Sequence, residues 1–527
     1  MRNHPCGLRL GRGSSLIRRA LEFSKELATE LAGRNHPRFV AALPKLLAPP
    51  PAATGRLATW RAAIGQRYAR YYRRWGFAYY YRRRDSRALE LFGTVESAIA
   101  AWTARPETDI GMLCELVEFH YLLSWCFADS STAQCRMVLP GLRMAAAAFA
   151  RDARAVPSPP AYGEQIRVVW LAMFPTPDDP MSVGLRHVAP ALNRFPDRFH
   201  LTVIAWNRPD PSFVAWLRSE HATCHVLEAG SRPNTIAAIE ALVAAESAAI
   251  VVSDMNNAVP TALFARRLAP VQIFLQAGLP AWPVRPLDGV FNSFGFDPIV
   301  ADWGDARLLT FDAPWDLTQL NPPENPTEIA AQRVFFPVGK RPIGTYCRLS
   351  KVTESFLKAA EKILLKCDDA AFVIGGTGDV GPIRAFIAQS PVGDRMHAIE
   401  GYVPGHSWDR ILDVFLDTWP VTGGESSRAA IAKSRPVVTL HSDEMPAIDR
   451  QRDPALVART WDEYVDITVR LLTDSSAYTT ACARAGALAK RFSAADEFAE
   501  RLATDLESVL DDVRTRCAAT LVPDILE

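Results

Sequence analysis

Residues 415–440 read FLDTWPVTGGESSRAAIAKSRPVVTL. An apolar segment ends in Leu416-Asp417, a Gly423-Gly424 turn follows, and a run of small residues opens at Glu425-Ser426-Ser427. After Pro436 comes Val437-Val438-Thr439-Leu440, rich in β-branched side chains. The pattern predicts strand, glycine turn, helix and strand in succession, the unit of a parallel α/β sheet. Free backbone N–H groups and the helix dipole converge at such a helix N-terminus, which makes it an anion site. Glycine and serine also let a phosphate approach the backbone closely. The stretch points to a nucleotide diphosphate at the C-terminal edge of a sheet. The alternative is a pair of glycines that only close a turn, as in many such units.

The same alternation extends outward. Ile166–Met173 (IRVVWLAM) is a continuous apolar run, as expected of a strand buried on both faces. Residues 200–206, 249–253 and 271–275 repeat it with helical segments between them. A second series begins at 342–346 and continues through 371–374, Met396–Glu400, Val414–Leu416 and Val437–Leu440. Two such series, joined near 321–339, predict two facing Rossmann-like lobes over 164–325 and 335–515, with a cleft between them. Residues 462–513 read as helical and suited to packing back across the lobes.

Residues 1–155 have another texture. Apolar residues fall at three-to-four spacing over 15–32, 37–47, 59–81, 86–104 and 110–127, which predicts an all-helical domain. No repeat near the ~34-residue period of a tetratricopeptide is present. The stretch RAVPSPP at 154–160 reads as the linker.

The chain has 527 residues and a net charge of +1, so nothing in its overall balance calls for nucleic acid or a membrane. Nine cysteines without a CxxC pair argue against a disulfide scaffold or a structural zinc site. The N-terminus is basic and lacks the apolar run of a signal peptide. The apolar stretch 116–128 is interrupted by Glu118 and His120 and is too short to span a bilayer. A cytoplasmic protein without stable membrane insertion is expected.

Candidate chemistry lies in the loops after strands. Gly344-Thr345-Tyr346-Cys347-Arg348-Leu349-Ser350-Lys351 places Arg348 and Lys351 at the mouth of the second sheet. Lys351 suits a pyrophosphate as a point charge, and Arg348 suits it as a fork, while a solvated loop cation is the alternative for each. Gly375-Gly376-Thr377-Gly378-Asp379 lacks the Lys-Ser/Thr of a P-loop and reads mainly as a tight turn. His406, two residues before Trp408, is a loop histidine that could stack on a base or be incidental. In the first lobe, FPTPDDPMSVGLRHVAP (174–190) offers Asp178, Asp179 and His187 as general bases. The bland readings are helix-capping aspartates and one face of an amphipathic helix. Residues 67–84 (RYARYYRRWGFAYYYRRR) suit either an acidic or RNA partner or a helix with inward aromatics and snorkelling arginines.

Taken in order, four blocks resemble the O-GlcNAc transferase family. They are residues 166–207 with the turn Pro196-Asp197-Arg198-Phe199, then Asp254-Met255-Asn256 with ARRLAPVQIFLQAGLP (265–280), then the Tyr346-to-Lys351 loop, and finally 416–440. The helical N-terminus without tetratricopeptides is similar to that of the bacterial adhesin N-glucosyltransferases of the same superfamily. The resemblance implies a GT-B fold and an inverting, metal-independent enzyme with no cofactor. It implies transfer of a hexose or HexNAc from a UDP-sugar to Asn or Ser/Thr of a protein, such as a bacterial surface protein or adhesin. A glycan or lipid-linked acceptor, or a catalytically weakened binding scaffold, are the alternatives. By position, Lys351 would hold the diphosphate, joined on the donor side by Arg348, His406, Gly424, Glu425, Ser426 and Ser427. Asp179 and His187 would stand with Lys351 at the reacting centre, and Gly278 and Asp254 on the acceptor side. The sequence departs from the family where Ser426-Ser427 replaces a threonine pair. It departs again where Ala430 takes the place of a ribose-binding acid, for which Glu425 is a candidate substitute.

Overall fold

A computed structural model describes residues 47–49, 87–105, 107, 109–124, 131–152, 157–173, 183–228, 230–254, 258–276, 287–292, 306–443 and 449–521. The expected helices at 15–32 and 59–81, nearly all of 37–47, and the Arg/Tyr segment 67–84 lie outside these residues. The described chain opens with helices α1 (Arg87–Thr103), α2 (Ile110–Ser124) and α3 (Ser131–Phe149). Helix α2 is buried almost all round, including Glu115, Glu118 and His120, which explains why its sequence shows no polar face.

Seven strands follow: β1 (Ile166–Met173), β2 (Phe199–Trp206), β3 (Thr223–Val226), β4 (Ile250–Ser253), β5 (Val271–Gln276), β6 (Gly289–Asn292) and β7 (Arg307–Leu309). All pair in parallel, in the order β3-β2-β1-β4-β5-β6-β7. Helix α4 (Val183–Asn193) joins β1 to β2, and α5 (Ala258–Ala265) joins β4 to β5. Side chains alternate across β1 into two cores. Val169 and Leu171 share one with α1, α2, α3 and α5, whereas Val168 and Trp170 share the other with α4 and the C-terminal helix. A strand covered on both faces must be apolar throughout, as this one is.

The second sheet holds β8 (Arg341–Tyr346), β9 (Ala370–Gly376), β10 (Met396–Glu400), β11 (Val414–Leu416), β12 (Val437–Leu440) and β13 (Val457–Ala458). Its order is β10-β9-β8-β11-β12-β13, again all parallel. Helices α6 (Glu354–Lys366), α7 (Gly405–Ile411) and α8 (Glu425–Ala432) follow β8, β10 and β11. Then come α9 (Trp461–Thr473), α10 (Ser475–Phe492) and α11 (Asp496–Leu521). Helices α9 and α10 pack within the second lobe. Helix α11 returns to the first, burying Phe498, Leu502, Leu506, Val509 and Leu510 there, with Arg198 forked onto Glu507 at 3.0 and 2.7 Å. Every strand expected from apolar patterning is present. The strands not foreseen are the short β3, β6, β7 and β13, which lie toward sheet edges where pairing neighbours matter more than composition. Among the described residues, no helix is long and apolar enough to cross a membrane.

Arg232 joins the helical layer to the first lobe by an ion pair with each of Glu115 and Glu118 on α2. Glu115 is 1% exposed and Glu118 is 8% exposed, so removing the cation takes a charged partner from two carboxylates in a dry interface. Arg232→Met is expected to lower stability by about 3–5 kcal/mol in urea unfolding. A loss below about 1 kcal/mol, the usual scale of a surface ion pair, would contradict this view of the interface.

Candidate functional site

In a parallel sheet, loops diverge where the strand order reverses, and a crevice opens there. The second sheet reverses between β8 and β11, so the loop after each borders one crevice. Lys351 belongs to the first loop, in a short 3-10 turn over Leu349–Lys351, and the Gly423-Gly424 turn belongs to the second.

A buried clamp shapes the glycine turn. Asp417, just past the end of β11 and 0% exposed, accepts the Gly423 N–H on Oδ1 at 2.6 Å. Its Oδ2 accepts from Thr439 at 3.2 Å and from Arg452 Nη2 at 3.3 Å. Arg452, itself 2% exposed, also donates to Gly423 O at 3.2 Å and to Ser427 Oγ at 2.5 Å. The Tyr464 hydroxyl donates to Asp417 O at 3.1 Å. These bonds turn the carbonyl of Gly423 and the hydroxyl of Ser427 inward. Helix α8 then begins at Gly424 with no side-chain cap, whereas Thr353, Thr460 and Asp474 cap α6, α9 and α10. The first N–H groups of α8 have no partner within the helix. A Cβ at Gly424 would meet nothing within 4 Å, so that flank is open.

Lys351 reaches across the reversal and donates to Thr422 O at 2.9 Å. Burial lowers its pKa, opposed by the nearby Cys347 and Asp417. Arg348 is exposed at the rim of the same loop. Tyr346, at the end of β8, ties the crevice to α7. Its hydroxyl donates to Asp409 at 3.0 Å and to Ser426 O at 3.4 Å, and a Cβ on Gly405 would fall 2.5 Å from its ring. His406 is the next residue, exposed at the start of α7, with its Nδ1 3.1 Å from Lys433 Nζ. The structure thus gathers Lys351, Gly424, Glu425, Ser426 and His406 around one crevice, with Arg348 at its edge and the Ser427 side chain beneath it. Ala430 is 0% exposed inside an apolar cluster, so the carboxylate expected there has no cleft-facing position to occupy. Glu425 is the acid of that turn and pairs with Arg428 at 3.6 Å. The Gly375-Gly376 run is required by packing, since a Cβ would fall 2.5 Å from Trp408 and 1.7 Å from Cys347 O respectively.

The first sheet reverses between β1 and β4. Asp254 lies just past β4 and is 2% exposed. Asp178, Asp179 and Gly278 lie outside the described residues. His187 on α4 is half-buried with its ring edge toward Phe498, and burial, with Arg186 and Arg428, pushes its pKa down to about 4. It is therefore a neutral imidazole at physiological pH, able to accept a proton but weakly basic. Arg428, on the first turn of α8, faces it across the lobes, stacked over Trp315 at 5.9 Å and held by Gln451 at 2.9 and 3.0 Å. Sequence reasoning did not assign roles to Asp417, Arg452, Tyr346, Asp409, Lys433 or Arg428. Only Asp417, at the end of an apolar strand, carried a local signal.

Two measurements test this geometry. A Cβ at Gly423 would lie 2.4 Å from Ser426 Oγ and 3.2 Å from Asp417 Oδ1. Gly423→Ala should cost about 1–3 kcal/mol in chemical unfolding, while Gly424→Ala should leave the midpoint within about 0.5 kcal/mol of wild type. Burial pushes the Asp409 carboxyl from 3.8 up to about 7, against the pull of Lys433 and Tyr346. The folded state keeps that proton where the unfolded chain has released it. The associated stability is complete below the unfolded pKa and is lost as the pH rises toward 7. Asp409→Asn should therefore flatten the fall in unfolding free energy between pH 4.5 and 7.5, and an unchanged slope would refute the assignment.

No protein-family model matches the chain, and no curated protein matches it in sequence. Among solved structures, a variant of the Thermobaculum terrenum O-GlcNAc transferase superposes with a TM-score of 0.58 at 18% identity, over 91% of this chain and 98% of that one. A Rickettsia africae ESF-5 glycosyltransferase matches with a TM-score of 0.49 at 10% identity, over 66% of this chain and 98% of that one. Anabaena HepE bound to UDP-glucose matches with a TM-score of 0.47 at 12% identity, over 65% of this chain and all of that one. With two parallel α/β lobes behind a helical layer, this chain has the GT-B fold of the O-GlcNAc transferase.

Proposed function

We propose that the protein is a glycosyltransferase that binds a UDP-sugar in the second-lobe crevice and transfers the sugar to a protein side chain. The observation that carries this reading is the pairing of Lys351 with the uncapped start of α8 across the sheet reversal. A fixed cation and several free N–H groups converge there on one small volume, which suits a diphosphate. The structural neighbour named as an O-GlcNAc transferase agrees with a glycosyl-transfer reading.

The reaction follows as a single displacement with inversion. An acceptor oxygen or nitrogen attacks the anomeric carbon as the bond from that carbon to the diphosphate oxygen breaks. The electron pair leaves with UDP, and the acceptor proton passes to a base. Lys351 and the α8 N-terminus stabilise the charge that grows on the leaving diphosphate, with no metal ion assigned to that task. His187, neutral and opposite Arg428, is the described candidate for the base. Asp179 is the other candidate and Asp254 borders the acceptor side. Arg348 would approach the diphosphate on closure from its exposed position.

Calorimetric titration with UDP tests the donor site. Wild-type protein should bind, and Lys351→Ala should weaken binding by about tenfold or more, since one charged hydrogen bond is worth about 1.5–3 kcal/mol. Binding that is absent, or indifferent to Lys351→Ala, refutes the proposal. The acceptor class is read separately. Label from a UDP-sugar should enter protein, and entry into lipid extracts instead would reassign the acceptor.

A further inference from the structure

Behind the crevice lies a group of charges that the transfer reaction does not use. Lys433, whose side chain is fully buried, has four acceptors around its ammonium: Leu320 O at 2.6 Å and Asp409 Oδ2, Ala429 O and His406 Nδ1 each at 3.1 Å. An ammonium has hydrogens and no lone pair, so a ring nitrogen facing it must be the bare one. With Nδ1 bare, a neutral imidazole carries its hydrogen on Nε2, on the side away from Lys433. Protonating the ring would set N–H against N–H. Burial and Lys433 accordingly lower the pKa of His406.

We propose that Lys433, anchored by Asp409, is a positioning residue. It fixes His406 in the neutral Nε2–H form, so that the mouth of the crevice always offers a hydrogen-bond donor to an acceptor oxygen of the bound nucleotide. The ligand half rests on the nucleotide reading above, and the lock itself does not. The charged and titratable groups around the lock come from several elements. Asp409 and Arg410 lie on α7, and Arg410 is paired with Glu324 at 3.2 Å. Tyr346 reaches Asp409 from β8, and Glu328 accepts from Ser407 at 2.5 Å. Arg435 donates to Asp409 O at 3.0 Å, while Glu425 and Tyr402 act on Tyr346. Burial lowers the pKa of Lys433 and Asp409 opposes that shift, so Asp409 helps to keep the group facing Nδ1 an ammonium.

Selective ring-nitrogen labelling of histidine tests this directly, with the His406 signals identified by their loss in His406→Gln. At pH 8 Nδ1 should be unprotonated and Nε2 protonated, and the ring should titrate below the ordinary value of about 6.5. Titration of His406 at or above that ordinary value, or hydrogen on Nδ1 of the neutral ring, overturns the lock. In the double variant Lys433→Met with Asp409→Asn, which leaves no buried charge unpaired, the pKa of His406 should rise toward the ordinary value, while the part of the depression caused by burial remains. An unchanged His406 pKa and tautomer in a folded double variant also overturn it. Adding UDP-glucose to the wild type should shift the Nε2 signal. If UDP-glucose binds without shifting that signal, the ligand half falls. If it does not bind at all, the nucleotide reading falls with the ligand half, and the pH series alone judges the lock.

Discussion

The pairing of Asp417 with Arg452 is the constraint on which the site depends. Two opposite charges, at 0% and 2% exposure, meet at 3.3 Å beneath a glycine turn. Charges so enclosed are tolerated only when their remaining donors and acceptors are filled. Gly423, Thr439 and Ser427 fill them, and in doing so fix the path of the turn. Gly423 gives both its N–H and its carbonyl to the clamp, and the chain then enters α8 at Gly424, which has no side chain to cap the helix. The open helix terminus, the feature that makes an anion site, thus follows directly on a turn whose path the clamp holds.

The same economy of packing sets the larger frame. The first sheet is covered by the helical layer on one face and by α4 with the returning α11 on the other. The second sheet holds α9 and α10 against itself. Helix α11 leaves from the second lobe and ends on the first, so the final helix belongs structurally to the lobe formed earliest in the chain. Arg428 over Trp315, with His187 opposite, marks where the two lobes approach near the start of α8.

Much of the fold was legible because buried parallel strands leave continuous apolar runs. Ile166–Met173, Met396–Glu400, Val414–Leu416 and Val437–Leu440 have the ends that their sequence suggests. The short β3 and β13 leave no such mark, since each is held by pairing with a neighbour distant in sequence. At the crevice, Lys351 and the turn at Gly424 were readable from their places after strands. The clamp was not, because Arg452 lies 35 residues beyond Asp417 and nothing local announces their meeting. Ser427 shows the limit from the other side, for its sequence context suggests a ligand donor while its hydroxyl is spent on Gly423 O and Arg452. Lys433 is equally silent in sequence, and only its enclosure by four acceptors gives it a role.

A crystal structure of the protein soaked with UDP tests the central claim most directly. The account predicts β-phosphate oxygens at hydrogen-bond distance, about 2.7–3.2 Å, from backbone N–H groups of residues 424–427. Lys351 Nζ should turn from Thr422 O toward the phosphate. A diphosphate lodged against the turn at 375–378, or one at α8 with Lys351 still held by Thr422, would contradict it.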